Sequence, residues 1–278
     1  MALTERVDAF QRRHPVAGFP IGVIYKFGED QGPYLAALIT YYGFLSLFPL
    51  LLLLTSVLGF VLDGRPELQQ QILDSTLSQF PVIGDELADP RGLQGSVGAI
   101  IVGGLVALYG ALGIAQAIQN AMNVTWSVRR NHRPNPIRAR LRSLRLIAVV
   151  GIAIMVTTIL SGAGSNARTF GADVGAWSTV AAIILSILVN GAVFVVTFRI
   201  FRPNSVRGRD VMPGAIVAAI IWQLLQFFGV AFVGNVVKDS GATYGVFALV
   251  LGLLAWIFLA AVGVVIGSEV NVVRTKRL

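Results

Sequence analysis

Six long apolar stretches, separated by short polar gaps, decide what this chain can fold into. They fall at residues 34–62, 95–122, 144–163, 174–198, 212–236 and 243–268. Each is long enough to cross about 30 Å of hydrocarbon at about 1.5 Å of helix rise per residue. Hydrocarbon offers the backbone no outside partners, so such stretches close their own hydrogen bonds as helices. The expected fold is all-α: a polytopic membrane protein, a six-transmembrane-helix bundle with short interfacial helices. Composition agrees, with a mean hydropathy of +0.74 and 13% charged residues, where soluble domains carry about 25%. The first stretch is longer than crossing requires, so it tilts or extends past the hydrocarbon. The third is the weakest, starting directly after a basic run and ending at Ser161-Gly162-Ala163-Gly164-Ser165.

The gaps differ sharply in charge. Four, seven, four and three basic residues fall in residues 1–33, 123–145, 199–211 and the tail, against two, one and one in the gaps between them. Basic loops stay on the cytoplasmic side, so both termini are expected there, in a multi-pass protein of the plasma or inner membrane. The same placement accounts for the formal net charge of +8. A nucleic-acid surface would gather that charge on one folded face, so no nucleic-acid partner is expected. The expected partners are membrane lipids, with anionic inner-leaflet phospholipid at the Arg-rich loops.

Three regions follow along the chain. Residues 1–33 read as a cytoplasmic interfacial amphipathic segment: Leu3, Val7 and Phe10 fall on one helical face, His14-Pro15 ends that helix, and Phe19–Phe27 forms a second. Residues 34–271 hold the six-helix transmembrane domain, with an extracytoplasmic helical insertion at 63–94. Residues 272–278 are a basic cytoplasmic tail. No cleavable signal peptide is expected, because Arg12, Arg13, Lys26, Glu29 and Asp30 interrupt the first 33 residues.

Polar residues inside the spans are the candidates for function. Gln116, Gln119, Asn120 and Asn123 are spaced to share one face of the second span; Asn190 lies in the fourth, and Gln223 and Gln226 in the fifth. Such amides either bond across helices or line a polar cavity open to the cytoplasm, and the set is expected to line a cavity. Pro49 sits inside the first span, removes a helical hydrogen bond, and is the expected hinge. No Asp, Glu, Lys, Arg or His lies centrally in any span, which argues against proton-coupled transport of a small charged solute. Glu269 stands at the end of the sixth span, where it is expected to reach the basic interface. With Asn271 and Trp126 it forms the expected cytoplasmic-end anchor. Gly98, Gly103, Gly104, Gly110 and Gly113, and the pair Gly263 and Gly267, allow close helix packing. Packing within the bundle is the first reading of these glycines, and a homo-oligomer through the Gly-rich helices is the alternative.

Chemistry is thin. There are no cysteines, so disulfides and thiolate sites are excluded. The only histidines, His14 and His132, are not paired at a metal-binding spacing. Neither a phosphate-binding loop nor a catalytic triad is visible. No catalytic residue, cofactor or metal is expected, and the chain does not read as an enzyme.

Several motifs, in order, resemble one family. Tyr41-Tyr42-Gly43-Phe44-Leu45-Ser46-Leu47-Phe48-Pro49-Leu50 is similar to the signature of the YihY/BrkB membrane proteins, once described as ribonuclease BN. Gln119-Asn120-Ala121-Met122-Asn123 with Trp126, Phe198 to Pro203, Asp210 to Ala215 with Trp222, and Tyr244-Gly245 through Gly267-Ser268-Glu269-Val270-Asn271 extend the resemblance over nearly the whole chain. Ser268 departs from the family, which often has Ala there. The resemblance implies six spans with cytoplasmic ends. It does not bring nuclease chemistry, which needs carboxylates or a base close together. Family members have been linked to serum resistance and lipid-related export. The expected function is therefore a transporter or flippase of a lipid-like or amphiphilic substrate. The alternatives are a non-transporting membrane scaffold or envelope-complex partner, a channel, and, third, a membrane enzyme.

Overall fold

Long apolar runs with few breakers produce long helices, and the fold is built almost entirely from them. The computed structural model describes residues 15–61, 97–169, 176–203, 206–232 and 238–276. The expected amphipathic helix before His14 and the insertion at 63–94 lie outside the described residues. Seven α-helices occur among those described: α1 (Pro15–Glu29), α2 (Gly32–Val61), α3 (Val97–Thr125), α4 (Pro136–Thr169), α5 (Ala176–Phe201), α6 (Met212–Phe232) and α7 (Lys238–Lys276). The chain is an all-α polytopic membrane protein. Three stretches among the described residues are long and apolar enough to cross a membrane: Ile101–Thr125, Met212–Gly229 and Val250–Lys276.

Helix ends follow local chemistry. Pro15 is the first residue of α1, a position where its missing N–H costs nothing. The helix then runs past the expected Phe19–Phe27 segment to Glu29. The corner between α1 and α2 turns on Gln31, held at φ 56°. Gly32 follows it, where a Cβ would stand 2.3 Å from the Phe27 ring. α2 continues through Pro49 without a break in its assignment.

Helices α2 to α7 form a closed ring in chain order, α7 returning to α2, while α3 also reaches α5 and α7. α1 lies on α7. In lipid no hydrophobic effect draws helices together, so fit and small residues do. The core shows this: Ala36, Ala115, Ala121, Ala215, Ala218 and Ala261 are all buried, packed with Phe198, Phe201 and Val265. Two crossings bring backbones together. A Cβ on Gly110 would meet the Ser46 Cβ at 2.4 Å, and one on Gly214 would meet the Gly267 carbonyl at 1.8 Å. Gly113 and Gly263 are likewise filled by Tyr42 and Ile221. These glycines are thus taken up inside the chain, whereas Gly98 is exposed. Large apolar side chains face outward instead, among them Tyr34, Leu38 and Tyr41 on α2, Ile101, Leu105 and Tyr109 on α3, and Ile216, Ile220, Leu224 and Phe227 on α6. At spacings of three and four, these are outward stripes suited to lipid.

Candidate functional site

Polar side chains gather at the end where α3 stops and α4 begins, among them Asn120, Asn123, Arg129, His132 and Arg133. α3 closes with two reversed bonds: the Val128 N–H donates to the Asn123 carbonyl at 2.8 Å and the Ser127 N–H to Val124 at 2.7 Å. Ser127 takes φ 53°, completing a Schellman stop with serine where glycine is usual. A short 3₁₀ turn at Arg130–His132 follows. Asn135 then caps α4 by accepting the Arg138 N–H at 2.8 Å, with Pro136 as the first helical residue. Arg133 folds back over this turn, donating to Asn120 Oδ1 at 3.2 Å and to the Val128 carbonyl at 3.3 Å.

This reversal encloses a cavity of about 500 Å³ lined by Asn123, Trp126, Arg129, His132, Arg142 and Pro203, among others. Beside it lies a groove of about 330 Å³ between α4 and α5, lined by Arg142, Arg145, Arg199 and Arg202 with Val196 and Ile200. Arg142 borders both. Among the described residues, none that lines either space is acidic. Burial, with Arg145, Arg202 and Arg138 nearby, pushes the Arg142 pKa down from its ordinary value. Arg145 and Arg202 repel Arg142, while Arg202 also donates to the Val206 carbonyl and Arg199 to the Met212 sulfur; an anion placed among these groups would offset the repulsion. Guanidinium forks also match phosphate and carboxylate geometry. Ile184, Leu188 and Ala192, all exposed, share one side of α5 with Val196 and Arg199, so an apolar strip leads into the groove.

The expected site residues are dispersed. Asn123 and Trp126 line the cavity. Asn120 is held by Arg133. Gln119 is buried, with its Nε2 lacking any hydrogen-bond partner, and Gln226 Oε1 is in the same condition. Gln116 is exposed where Gln119 and Asn123 are buried, although helix spacing puts it on the same side as Asn123. Asn190 and Gln223 are half-buried, and neither borders the arginine-lined spaces; nor does Pro49.

Glu269 corrects the sequence reading. Instead of reaching a basic interface it is completely buried, with no donor at either carboxylate oxygen. The charged groups that face it are Asp30, Lys26 and Glu29 of α1, not the Arg-rich turn. α1 covers this end of α7 through Val23, Val270 and Val273, which is why an end-of-span residue loses contact with solvent. Asn271, also fully buried, ties α7 to the start of α6: its Oδ1 accepts the Gly214 N–H at 2.7 Å and its Nδ2 donates to the Val211 carbonyl at 3.1 Å. Thr125 and Ser268 join α3 to α7 through a 2.6 Å hydroxyl pair. The arginine groove itself was missed as a site. Its signal was present, because Arg138, Arg142 and Arg145 at spacings of four and three lie on one side of α4.

Comparison with known proteins adds the relatives. Residues 23–278 match the family described as Virulence factor BrkB. The chain is 26% identical to a UPF0761 membrane protein of Stenotrophomonas maltophilia over 253 residues, covering 89% of this chain and 58% of that protein. It is 26% identical to the inner membrane protein YhjD of Escherichia coli, covering 90% of this chain and 79% of the relative. It is equally similar to YfkH of Bacillus subtilis, whose name likens it to a ribonuclease, over 91% of this chain and 93% of the relative. The chain thus spans little more than half the length of the Stenotrophomonas relative. No solved structure matches it.

Proposed function

The chain belongs to the virulence factor BrkB family, and from that membership we propose that it moves an amphiphile with an anionic headgroup across the membrane. The headgroup is received at the arginine-lined end, and the acyl part stays against the bundle surface. On this reading α2 to α7 are six spans, and the arginine end faces the cytoplasm, where basic loops remain. The name of the Escherichia coli relative, an inner membrane protein, supports the location.

One observation carries the reading. The groove of Arg142, Arg145, Arg199 and Arg202 contains Val196 and Ile200 and continues along α5 into exposed apolar side chains. A soluble anion has no use for that strip, and an apolar molecule has no use for four guanidiniums. An amphiphile uses both. Anionic inner-leaflet phospholipid meets this chemistry. Asn123 lies deeper in the adjoining cavity, and the unpartnered amides of Gln119 and Gln226 are the next polar groups available to a headgroup moving inward. Pro49 of α2 is the hinge proposed to open that path. The function needs no bond-breaking step.

Retention of lipid by the full chain, measured by native mass spectrometry after release from nanodiscs of mixed anionic and zwitterionic phospholipid, tests the site. The expected result is preferential retention of the anionic class, lost when Arg142 and Arg199 are both changed to Gln. Equal retention of both classes by the native chain would overturn it.

A further inference from the structure

At the junction of α1 and α7, away from the arginine groove, one carboxylate has no visible means of support. Glu269 is completely buried and no donor reaches either oxygen. Its neighbour Asp30 is itself nearly buried and is already paired with Lys26. Glu29, 4.0 Å from the same lysine, has its side chain turned largely to solvent. The other helices packed on α7, namely α2, α3 and α6, contain no Asp, Glu, Lys, Arg or His. Among the described residues the buried group therefore consists of two carboxylates and one ammonium, and carries one uncompensated negative charge.

A buried charge without a partner is not sustained in a low-dielectric interior. Two ionised carboxylates offer each other only acceptors, and Asp30 of α1 faces Glu269 across this junction. One proton resolves both faults: it supplies the missing donor and makes the group neutral. A divalent cation is disfavoured, since no three carboxylate or imidazole groups converge among the described residues.

We propose that the buried Glu269 carboxyl is held protonated against the Lys26–Asp30 pair, and that this proton holds α1 in its seat on α7. Loss of the proton leaves like charges face to face across the junction and loosens α1. The site is independent of any headgroup bound at the arginine groove. It gives the protein a proton-sensitive element at the membrane surface, where α1 passes directly into α2 through the corner at Gln31.

Amide hydrogen exchange of the full chain in nanodiscs tests this, read on residues 15–31 from pH 5 to 9 after correction for the intrinsic pH dependence of exchange. The native chain is expected to lose protection in α1 as pH rises toward the midpoint of the seated site, by up to about tenfold per pH unit, and to level off above that midpoint, as a one-proton linkage requires. The loss should be the same in sodium and in choline buffers. Glu269→Gln, which needs no proton, should keep α1 protected throughout. Asp30→Asn frees Lys26 to neutralise Glu269 and should likewise abolish the step; this second variant decides the matter if the first does not yield folded protein. Protection in the native chain that does not vary with pH, a step that survives in the folded variants, or a step that follows sodium would each overturn the proposal.

Discussion

At the scale of single residues, the strongest constraints come from polar side chains buried where hydrocarbon offers no alternative partner. Asn271 answers two backbone groups at the first turn of α6, the Gly214 N–H and the Val211 carbonyl. Asn271→Ala strands both. Each buried unsatisfied group costs about 1–3 kcal/mol, so a clear fall in the thermal unfolding midpoint in nanodiscs is expected, and Asn271→Asp should recover only the acceptor half. Ser127 behaves oppositely. It occupies a left-handed position that costs a non-glycine residue about 1–2 kcal/mol, so Ser127→Gly should raise the same midpoint. Of these residues, Asn271 and Glu269 were visible in the sequence as polar groups at the end of a span. Their partners were not, because α1 and α6 reach them from distant parts of the chain.

At the scale of elements, glycine sets the distance between helices. Gly214 and Gly267 press their backbones together, and Gly110 lies against Ser46. Gly214→Ala puts a methyl group into a carbonyl oxygen and should separate α6 from α7, seen as loss of a monodisperse protein on size exclusion. Gly191→Ala, in α5 with nothing within 4 Å of its new methyl group, should be tolerated and slightly stabilising, by about 0.5–1 kcal/mol at most. Gly263 and Gly267 were legible as a close-packing pair from their spacing, since spacing alone places them on one face. Which helix filled that face was not, because two helix surfaces must be matched to choose a partner. Gln116 shows the same limit: its spacing puts it on the side of Asn123, yet it is exposed where Asn123 is buried, because cover at each level of a helix depends on what stands opposite.

At the scale of the whole molecule, the apolar stretches and the alternation of charge made an all-α polytopic membrane fold readable from the first. Basic residues read as orientation signals concealed a second role. Arg142 and Arg145 come from the start of α4, and Arg199 and Arg202 from the end of α5. Only the folding of α5 against α4 brings the two pairs into one groove. A topology device and a headgroup site are thus compatible uses of the same side chains, because both place positive charge at one face of the membrane. The central claim is that this groove serves translocation of an anionic amphiphile. The most direct measurement is the rate at which fluorescent phospholipids of several classes cross liposome membranes containing the purified full chain. The account predicts faster crossing of anionic lipids than in empty vesicles, reduced to the empty-vesicle rate when Arg142 and Arg199 are both Gln. Crossing no faster than in empty vesicles for every class, or acceleration indifferent to those two arginines, would contradict it.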